Sequence, residues 1–516
     1  MKIVAFIALA AVGLSLLTGL AVYLYGRFAY RLRGRETHAL QLGSDTEIDA
    51  CLGPVAERHP GLSGLQLSAE SLDAFAIRAS SARAAGRSLD LMYYYWKEDL
   101  TGTLLAGEVL AAADRGVRVR MLLDDINLRG RDTNYLSLSA HENIEVRVFN
   151  PSWNRVGALQ RGFELIIRAF SSTRRMHNKA WLADGRFAVV GGRNIGDAYF
   201  DAASKFNFRD LDLCAIGPVV QQTEAVFDEF WNSACAHPLS SLRFLVTGNL
   251  DALRKAIVAV TNSAQAKPFL DRLGEATFSN KMLDTGSKFH WCGTASVIFD
   301  PPGKSDGNEK ERWLYKPLFA LALSARSRLD MMSPYFIPGP LGVTNLTKLV
   351  ADGVSVTVLT NSLAATDVAA VHGGYSKYRK ALLEGGVGLY ELRPKARRRS
   401  ISLFGSRNAS LHTKAFTVDG RAGFVGSFNF DPRSISLNTE MGIVFESEGL
   451  AKEIEAQFTA LLAPEASWKV LIDEDGLGWR DGAGTEAKIL RHEPVASLRR
   501  RFVARLVSWL PVESQL

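Results

Sequence analysis

The chain has 516 residues, 47% of them hydrophobic, which is ample for a large core. Its formal charge of +7 favours anionic partners, phospholipid headgroups or nucleic acid, without choosing between them. The four cysteines (Cys51, Cys214, Cys235, Cys292) are scattered with no CxxC pair, so neither a zinc site nor a disulfide framework is indicated and their expected role is core packing.

From Ile3 to Tyr25 there is no charged residue, and at about 1.5 Å per residue that run spans a bilayer core as a transmembrane helix. Arg27, Arg31, Arg33 and Arg35 follow it, against Lys2 before it, which places the rest of the chain on the cytoplasmic side. A cleavable signal peptide is the competing reading. Residues 1–35 are thus an anchor with a basic flank, and residues 36–67 a linker with short helices.

Beyond the linker, Leu89 to Tyr95, Val117 to Leu123 and Ile144 to Phe149 are β-rich runs, with a helical pattern from Leu104 to Ala113 between them. Strands alternating with helices predict an α/β fold with a mixed, largely parallel sheet flanked by helices. Residues 246–311 form a separating segment in which Asp300-Pro301-Pro302-Gly303-Lys304-Ser305 reads as a turn. A Walker loop would need glycine where Ile298 stands. Arg393, Lys395, Arg397, Arg398 and Arg399 form a basic loop, either simply solvated or a rim that attracts headgroups. At the end, Leu498 to Leu510 alternates arginines with Phe502, Val503, Leu506, Val507 and Trp509 at helical spacing. This is a helix on an anionic membrane surface or one docked on the protein.

Two copies of one motif stand out: His177-Asn178-Lys179 followed by Asp184-Gly185, and His412-Thr413-Lys414 followed by Asp419-Gly420. Each continues into small residues and an asparagine, Gly191-Gly192-Arg193-Asn194 and Gly426-Ser427-Phe428-Asn429. Alternate residues of a strand share a face, so each copy sets an imidazole beside an ammonium. Apolar runs on either side of Asp-Gly predict a hairpin that returns the asparagine to them, and the result is a phosphate site. Asp184 and Asp419 read more readily as turn residues than as reacting groups. The other histidines (His38, His59, His141, His237, His290, His492) are expected to be structural or exposed, while His372 either opens a helix towards the site or packs structurally.

The motifs resemble those of the phospholipase D superfamily, in which HxKxxxxD occurs twice per active site. Ser88-Leu89-Asp90-Leu91-Met92 echoes Arg328-Leu329-Asp330-Met331-Met332, and Arg115-Gly116-Val117-Arg118-Val119 echoes Asp352-Gly353-Val354-Ser355-Val356. Residues 68–245 and 312–465 therefore look like a duplicated unit, with 466–516 a C-terminal extension. The resemblance implies two repeats about a pseudo-two-fold axis and a single active site at their interface. It also implies catalytic roles for His177, Lys179, Asp184, His412, Lys414 and Asp419, and phosphate binding by Asn194, Asn429, Gly192 and Ser427. A carboxylate one strand beyond each asparagine, Asp210 after His177 and Glu440 after His412, would orient the imidazoles. Asp212 competes with Asp210 for that part.

Within the superfamily, Met176-His177-Asn178-Lys179, Gly191 to Phe200 and Leu437-Asn438-Thr439-Glu440-Met441-Gly442 are similar to bacterial cardiolipin synthases, especially the C-type branch. That implies transfer of a phosphatidyl group onto phosphatidylglycerol through a phosphohistidine, with His177 as nucleophile and His412 as acid and base, or the reverse. The expected partners are the membrane and phospholipids (phosphatidylglycerol, possibly with phosphatidylethanolamine), at a bacterial inner membrane. No nucleic acid, metal or other cofactor is expected. A hydrolytic phospholipase D, a nuclease and a non-catalytic membrane scaffold are the alternatives.

Overall fold

The computed structural model describes residues 34–127, 132–152, 174–242, 246–275, 277–283, 289–394, 409–484, 487–510 and 513–515, with Gly13 and Leu20. The proposed anchor helix, with Arg27, Arg31 and Arg33, and the basic residues Lys395, Arg397, Arg398 and Arg399 lie outside the described residues. Among the described residues no helix is long and apolar enough to cross a membrane.

The first half contributes β1 (Ser63–Ser68), β2 (Ser88–Tyr93), β3 (Arg118–Asp124), β4 (Ile144–Phe149), β5 (Ala180–Ala183), β6 (Phe187–Gly191), β7 (Asn207–Arg209), β8 (Asp212–Ile216), β9 (Ala236–Pro238) and β10 (His290–Cys292). The second contributes β11 (Ser296–Phe299), β12 (Arg328–Met332), β13 (Ser355–Asn361), β14 (Gly388–Leu392), β15 (Ala409–Leu411), β16 (Ala415–Val418), β17 (Ala422–Gly426), β18 (Met441–Glu446), β19 (Ser467–Asp473), β20 (Gly476–Asp481) and β21 (Lys488–Leu490). One sheet runs β10-β1-β8-β6-β5-β2-β3-β4-β9 and the other β11-β18-β17-β16-β12-β13-β14-β19-β20-β21. From β1 to β9 and from β11 to β19 the two orders coincide position by position. That correspondence is the duplication. Its first strands, β1 and β11, stand ahead of residues 68 and 312.

The sheets are mixed, but less parallel than the sequence suggests. Only β2, β3 and β4, and likewise β12, β13 and β14, pair in parallel; the other ladders of the two large sheets are antiparallel. The reason is local: each motif closes a hairpin, and a hairpin forces antiparallel neighbours. Asp184 and Gly185 take φ of 53° and 69°, and Asp419 and Gly420 take 53° and 67°, as a tight turn between twisted strands requires.

Alternation along the strands builds the core. Leu89, Leu91 and Tyr93 of β2 face the outer helices, with Trp181 and Phe75 among their neighbours, while Met92 faces inward. A single inner cluster joins Met92, Leu182, Val190 and Leu213 of one sheet to Met332, Ala415, Val425 and Ile443 of the other. The two repeats therefore share one apolar interior, and the motif residues sit at its edge.

Candidate active site

The segment leading into each histidine is tied to the segment leading into the other repeat's carboxylate. Met176 forms a parallel bridge with Thr439, and the His177 amide donates to the Thr439 carbonyl at 2.9 Å. In the mirror arrangement β15 pairs in parallel with β7, and the His412 amide donates to the Arg209 carbonyl at 2.8 Å. These exchanges cross the carboxylates over. Nδ1 of His177 lies 2.8 Å from Glu440 Oε2, and Nδ1 of His412 lies 2.5 Å from Asp210 Oδ2. The expectation that each carboxylate serves the histidine of its own copy is corrected: each serves the other. Asp212 is engaged elsewhere, with Arg78 at 2.8 Å and Arg193 at 3.2 Å.

Both histidines, both motif lysines and both carboxylates are buried. Lys179 Nζ donates to the His177 carbonyl at 2.5 Å, and Lys414 Nζ lies 3.0 Å from His412 Nδ1 and donates to the His412 carbonyl. Burial dominates the electrostatics. It pushes His177 down to about 4 despite Glu440, with Lys179 and Lys414 adding to the depression. His412 goes to about 3 by burial, then by Lys414, against Asp210. The lysines fall to about 7 (Lys179) and about 8 (Lys414), again from desolvation, partly offset by the two carboxylates. Burial works to raise Asp210, but His412 and Lys414 hold it at about 2. Burial likewise opposes ionisation of Glu440, and His177, Lys179 and Ser427 outweigh it. At neutral pH each imidazole is therefore neutral, donating from Nδ1–H to an ionised carboxylate and carrying its lone pair on Nε2.

The returning strands bring Asn194 and Asn429 to buried positions, as the hairpins predict. Asn194 accepts from the Tyr95 amide at 3.0 Å and donates to the Tyr199 hydroxyl at 2.8 Å, whereas Asn429 Oδ1 is buried with no partner among the described residues. Gly192 and Ser427, read from sequence as phosphate-binding, are committed to the carboxylates. The Ser427 hydroxyl donates to Glu440 Oε2 at 2.5 Å, and a Cβ on Gly192 would stand 2.2 Å from Asp210 Oδ1. Their amides are spent too, on the carbonyls of Met441 (2.9 Å) and Leu211 (3.2 Å).

Asp184 and Asp419 are set apart from the chemistry. Asp184 accepts from the amides of Gly86 (3.0 Å), Arg87 (2.8 Å) and Ser88 (2.9 Å), where β2 begins. Asp419 does the same for Arg326, Ser327 and Arg328 ahead of β12, at 3.0, 2.8 and 2.9 Å. Among the described residues neither bonds a histidine, so the motif aspartates clamp the hairpin to the neighbouring strand, and their inclusion with the catalytic residues is corrected.

Three aromatic neighbours escaped the sequence reading. Tyr94 stands edge-on to His177 with ring centroids 4.9 Å apart; Tyr199 and Phe208 contact His412 at 5.1 and 4.8 Å. The β-rich run from Leu89 to Tyr95 ends as β2 at Tyr93, and Asn194 holds the Tyr95 amide, so Tyr94 turns to the histidine. Beneath Glu440 lies a second layer. Ser434 donates to Glu440 Oε1 at 2.8 Å, the Glu440 amide donates to Asp300 Oδ2 at 3.1 Å, and Lys304 Nζ bonds Asp300 Oδ2 and the Ser434 carbonyl at 2.8 Å each. The expected turn at Asp300 to Ser305 is a short 3₁₀ helix over Pro302–Asp306, and it delivers this ion pair.

His372 does not reach the site. It is buried in the helix Ala369–Glu384, 3.3 Å from the Asn361 carbonyl, and its Nε2 accepts from Arg379 at 2.8 Å. His372, Glu391 and Glu493 bring ligand-type atoms within 4.8 Å of one another. The Arg379 guanidinium is lodged among them, 3.0 Å from Glu493 and 3.4 Å from Glu391, and supplies the positive charge a metal ion would bring.

Two buried imidazoles, each with a carboxylate from the other repeat and a lysine beside it, match the paired centre of phospholipase D-like enzymes, and comparison with known proteins agrees. Residues 79–231 and 318–462 match the family described as cardiolipin synthase, PLD-like domain. Cardiolipin synthase C of Escherichia coli K12 is 42% identical over 466 residues, covering 89% of this chain and 98% of that protein. Cardiolipin synthase 2 of Staphylococcus epidermidis is 24% identical over 377 residues, 73% of this chain and 63% of that one. The crystal structure of phosphatidylserine synthase from Haemophilus influenzae Rd KW20 superposes with a TM-score of 0.57 at 14% identity, over 88% of this chain and 95% of that one, and so shares the fold. The chain belongs to the cardiolipin synthase family of phospholipase D-like phosphatidyltransferases.

Proposed function

We propose that this protein makes cardiolipin by moving a phosphatidyl group onto the terminal glycerol hydroxyl of phosphatidylglycerol, at a bacterial inner membrane. The observation that carries the reading is the pair of buried histidines, each with Nδ1 on the other repeat's carboxylate. Nε2 of His177 attacks phosphorus, the N–P bond forms and the bond to the departing glycerol or ethanolamine oxygen breaks. His412 gives its Nε2 proton to that oxygen. It then removes the proton of the acceptor hydroxyl, whose oxygen attacks the phosphohistidine and frees His177. The same atoms serve with the roles exchanged.

His412 begins neutral in the free protein, so its proton has to arrive with substrate. The phosphodiester's negative charge supplies the reason, because an anion beside a buried imidazole favours the charged form. Lys179 and Lys414 act in the same sense and hold the phosphoryl oxygens as the five-coordinate centre gathers charge. Asn194 and Asn429 flank them, and the unpartnered Asn429 Oδ1 is an acceptor suited to a hydroxyl of the incoming glycerol. Tyr94, Tyr199 and Phe208 wall the imidazoles from water, which favours an alcohol as acceptor over hydrolysis.

The test is mass spectrometry of lipids after incubating the purified chain with phosphatidylglycerol and phosphatidylethanolamine vesicles in chelator, beside His177→Ala and His412→Ala. Cardiolipin from the parent and from neither variant is the expected result. Phosphatidic acid without cardiolipin would make the protein a hydrolase, and absence of lipid turnover would overturn the reading.

A further inference from the structure

The C-terminal helix Leu498–Trp509 satisfies both sequence expectations at once, because it docks by one face and leaves an apolar face uncovered. At about 100° per residue, Leu498, Phe502, Leu506 and Trp509 fall within an arc of about 80°. They are 81%, 67%, 45% and 77% exposed. Arg499 and Arg505, both exposed, border that arc on its two sides. The opposite face is fixed. Ala504 is buried so tightly against the helix Ala369–Glu384 that a Cβ on Gly373 would meet its carbonyl oxygen at 2.5 Å.

The mounting is rigid at both ends and reaches the site's surroundings. Arg500 donates to the carbonyls of Leu363 (2.9 Å), Ala364 (3.1 Å) and Thr366 (2.7 Å). That loop follows Asn361, whose side chain accepts from the Leu411 amide at 2.8 Å, next to His412. Past the helix, Arg433 donates to the Gln515 carbonyl at 3.2 Å, and the adjacent Ser434 holds Glu440. A cavity of about 650 Å³ is bounded by Val495 and Arg500 on one side and by Phe206 on another. Phe206 packs on Phe208, which packs on His412.

We propose that the outer face of helix 498–509 seats the protein on an anionic phospholipid surface, its apolar row entering the headgroup boundary and Arg499 and Arg505 meeting the lipid phosphates. Apolar residues flanked by arginines, with a tryptophan at the end of the row, match that partner in both polarity and charge. The inference rests on the reading that the substrate is a membrane phospholipid, and it names the surface that brings His412 to it.

The test uses the full chain reconstituted in phosphatidylcholine vesicles with and without phosphatidylglycerol, carrying an environment-sensitive fluorophore at Leu506→Cys or, as control, at Lys380→Cys. Lys380 is 72% exposed on the underlying helix. Spin-labelled lipid should quench the Leu506 position several-fold more than the Lys380 position, and more so with phosphatidylglycerol present. Phe502→Ser/Trp509→Ser should abolish that difference and lower the ratio of turnover on vesicles to turnover on short-chain monomeric phosphatidylglycerol by about 10-fold. Equal quenching at both positions overturns the proposal. So does a signal at residue 506 that follows protein concentration without lipid, which would make a second copy the occupant. Quenching at residue 506 in a chain that turns over neither substrate supports the docking surface and removes the functional reading alone.

Discussion

Glu440 belongs to the second repeat, yet its Oε2 lies 2.8 Å from Nδ1 of His177 in the first, and Asp210 repays the exchange at His412. Neither half of the duplication holds both a motif histidine and the carboxylate that meets it. A carboxylate placed across the interface makes activity a readout of correct repeat packing. Glu440→Gln keeps the shape and loses the charge that orients the imidazole and stabilises it once charged or phosphorylated. Turnover should fall by about 10²–10⁴-fold. Asp210→Asn should do the same through His412, and steady-state rates on phosphatidylglycerol vesicles check both.

The depressed histidines set a sign for acid stability. Between the ordinary 6.5 and about 4, the unfolded chain takes a proton at His177 that the folded chain refuses, so stability is lost as pH falls through that window. His412, at about 3, extends the loss further down. Asp210 and Glu440, held low, add their own loss below about pH 4.5, once the unfolded carboxyls protonate. The thermal midpoint should drop steadily from pH 6.5 to 4.5, and the double variant His177→Gln/His412→Gln should flatten that slope.

Much of this was legible, and the misses have physical causes. The hairpins β5–β6 and β16–β17 follow from apolar runs on either side of an Asp-Gly turn, a local signal, although His177 to Lys179 and His412 to Lys414 stand just ahead of β5 and β16 and not on the strands. The crossing of Asp210 and Glu440 is not local. It arises because β7 pairs with β15 across the repeat interface, and a ladder between strands two hundred residues apart leaves no mark in the spacing of either motif. The resemblance alone makes Ser427 a phosphate ligand; only the fold shows its hydroxyl already given to Glu440. Lys304 looked like part of a turn because nothing in its neighbours announces that Asp300 is buried beside it.

Lys179 carries a cost that the role proposed for it at the phosphoryl group explains. Burial brings its ammonium down to about 7, so at neutral pH the folded state holds a charge the interior disfavours. Lys179→Met should abolish turnover while raising the thermal midpoint by about 1 °C, the response to removing about 1 kcal/mol of strain from a chain this size. In the parent, kcat/KM should decline as pH rises through 7 to 8, where Lys179 and then Lys414 lose their protons. Calorimetry and a pH–rate profile check the two halves.

Asp184 should behave as a structural residue. Its carboxylate holds three backbone amides at the start of β2, so Asp184→Ala leaves buried donors without partners and costs about 2–4 kcal/mol of stability. Rates normalised to folded protein should stay within about two-fold of the parent at low temperature. A catalytic aspartate would instead lose turnover with the thermal midpoint unchanged.

Lys304 separates positioning from chemistry at the deepest level of the site. Its ammonium and the Asp300 carboxylate are both fully buried, 2.8 Å apart, and the same carboxylate takes the Glu440 amide. Lys304→Met strands a buried carboxylate, which costs about 3–5 kcal/mol, whereas Lys304→Met/Asp300→Asn removes both charges and should recover most of the stability. The double variant is the informative one. It folds with Glu440 on a looser backbone, so kcat should stay depressed while KM for phosphatidylglycerol is unchanged, because no substrate contact has been removed. Recovery of stability together with full kcat would reduce the pair to a structural element.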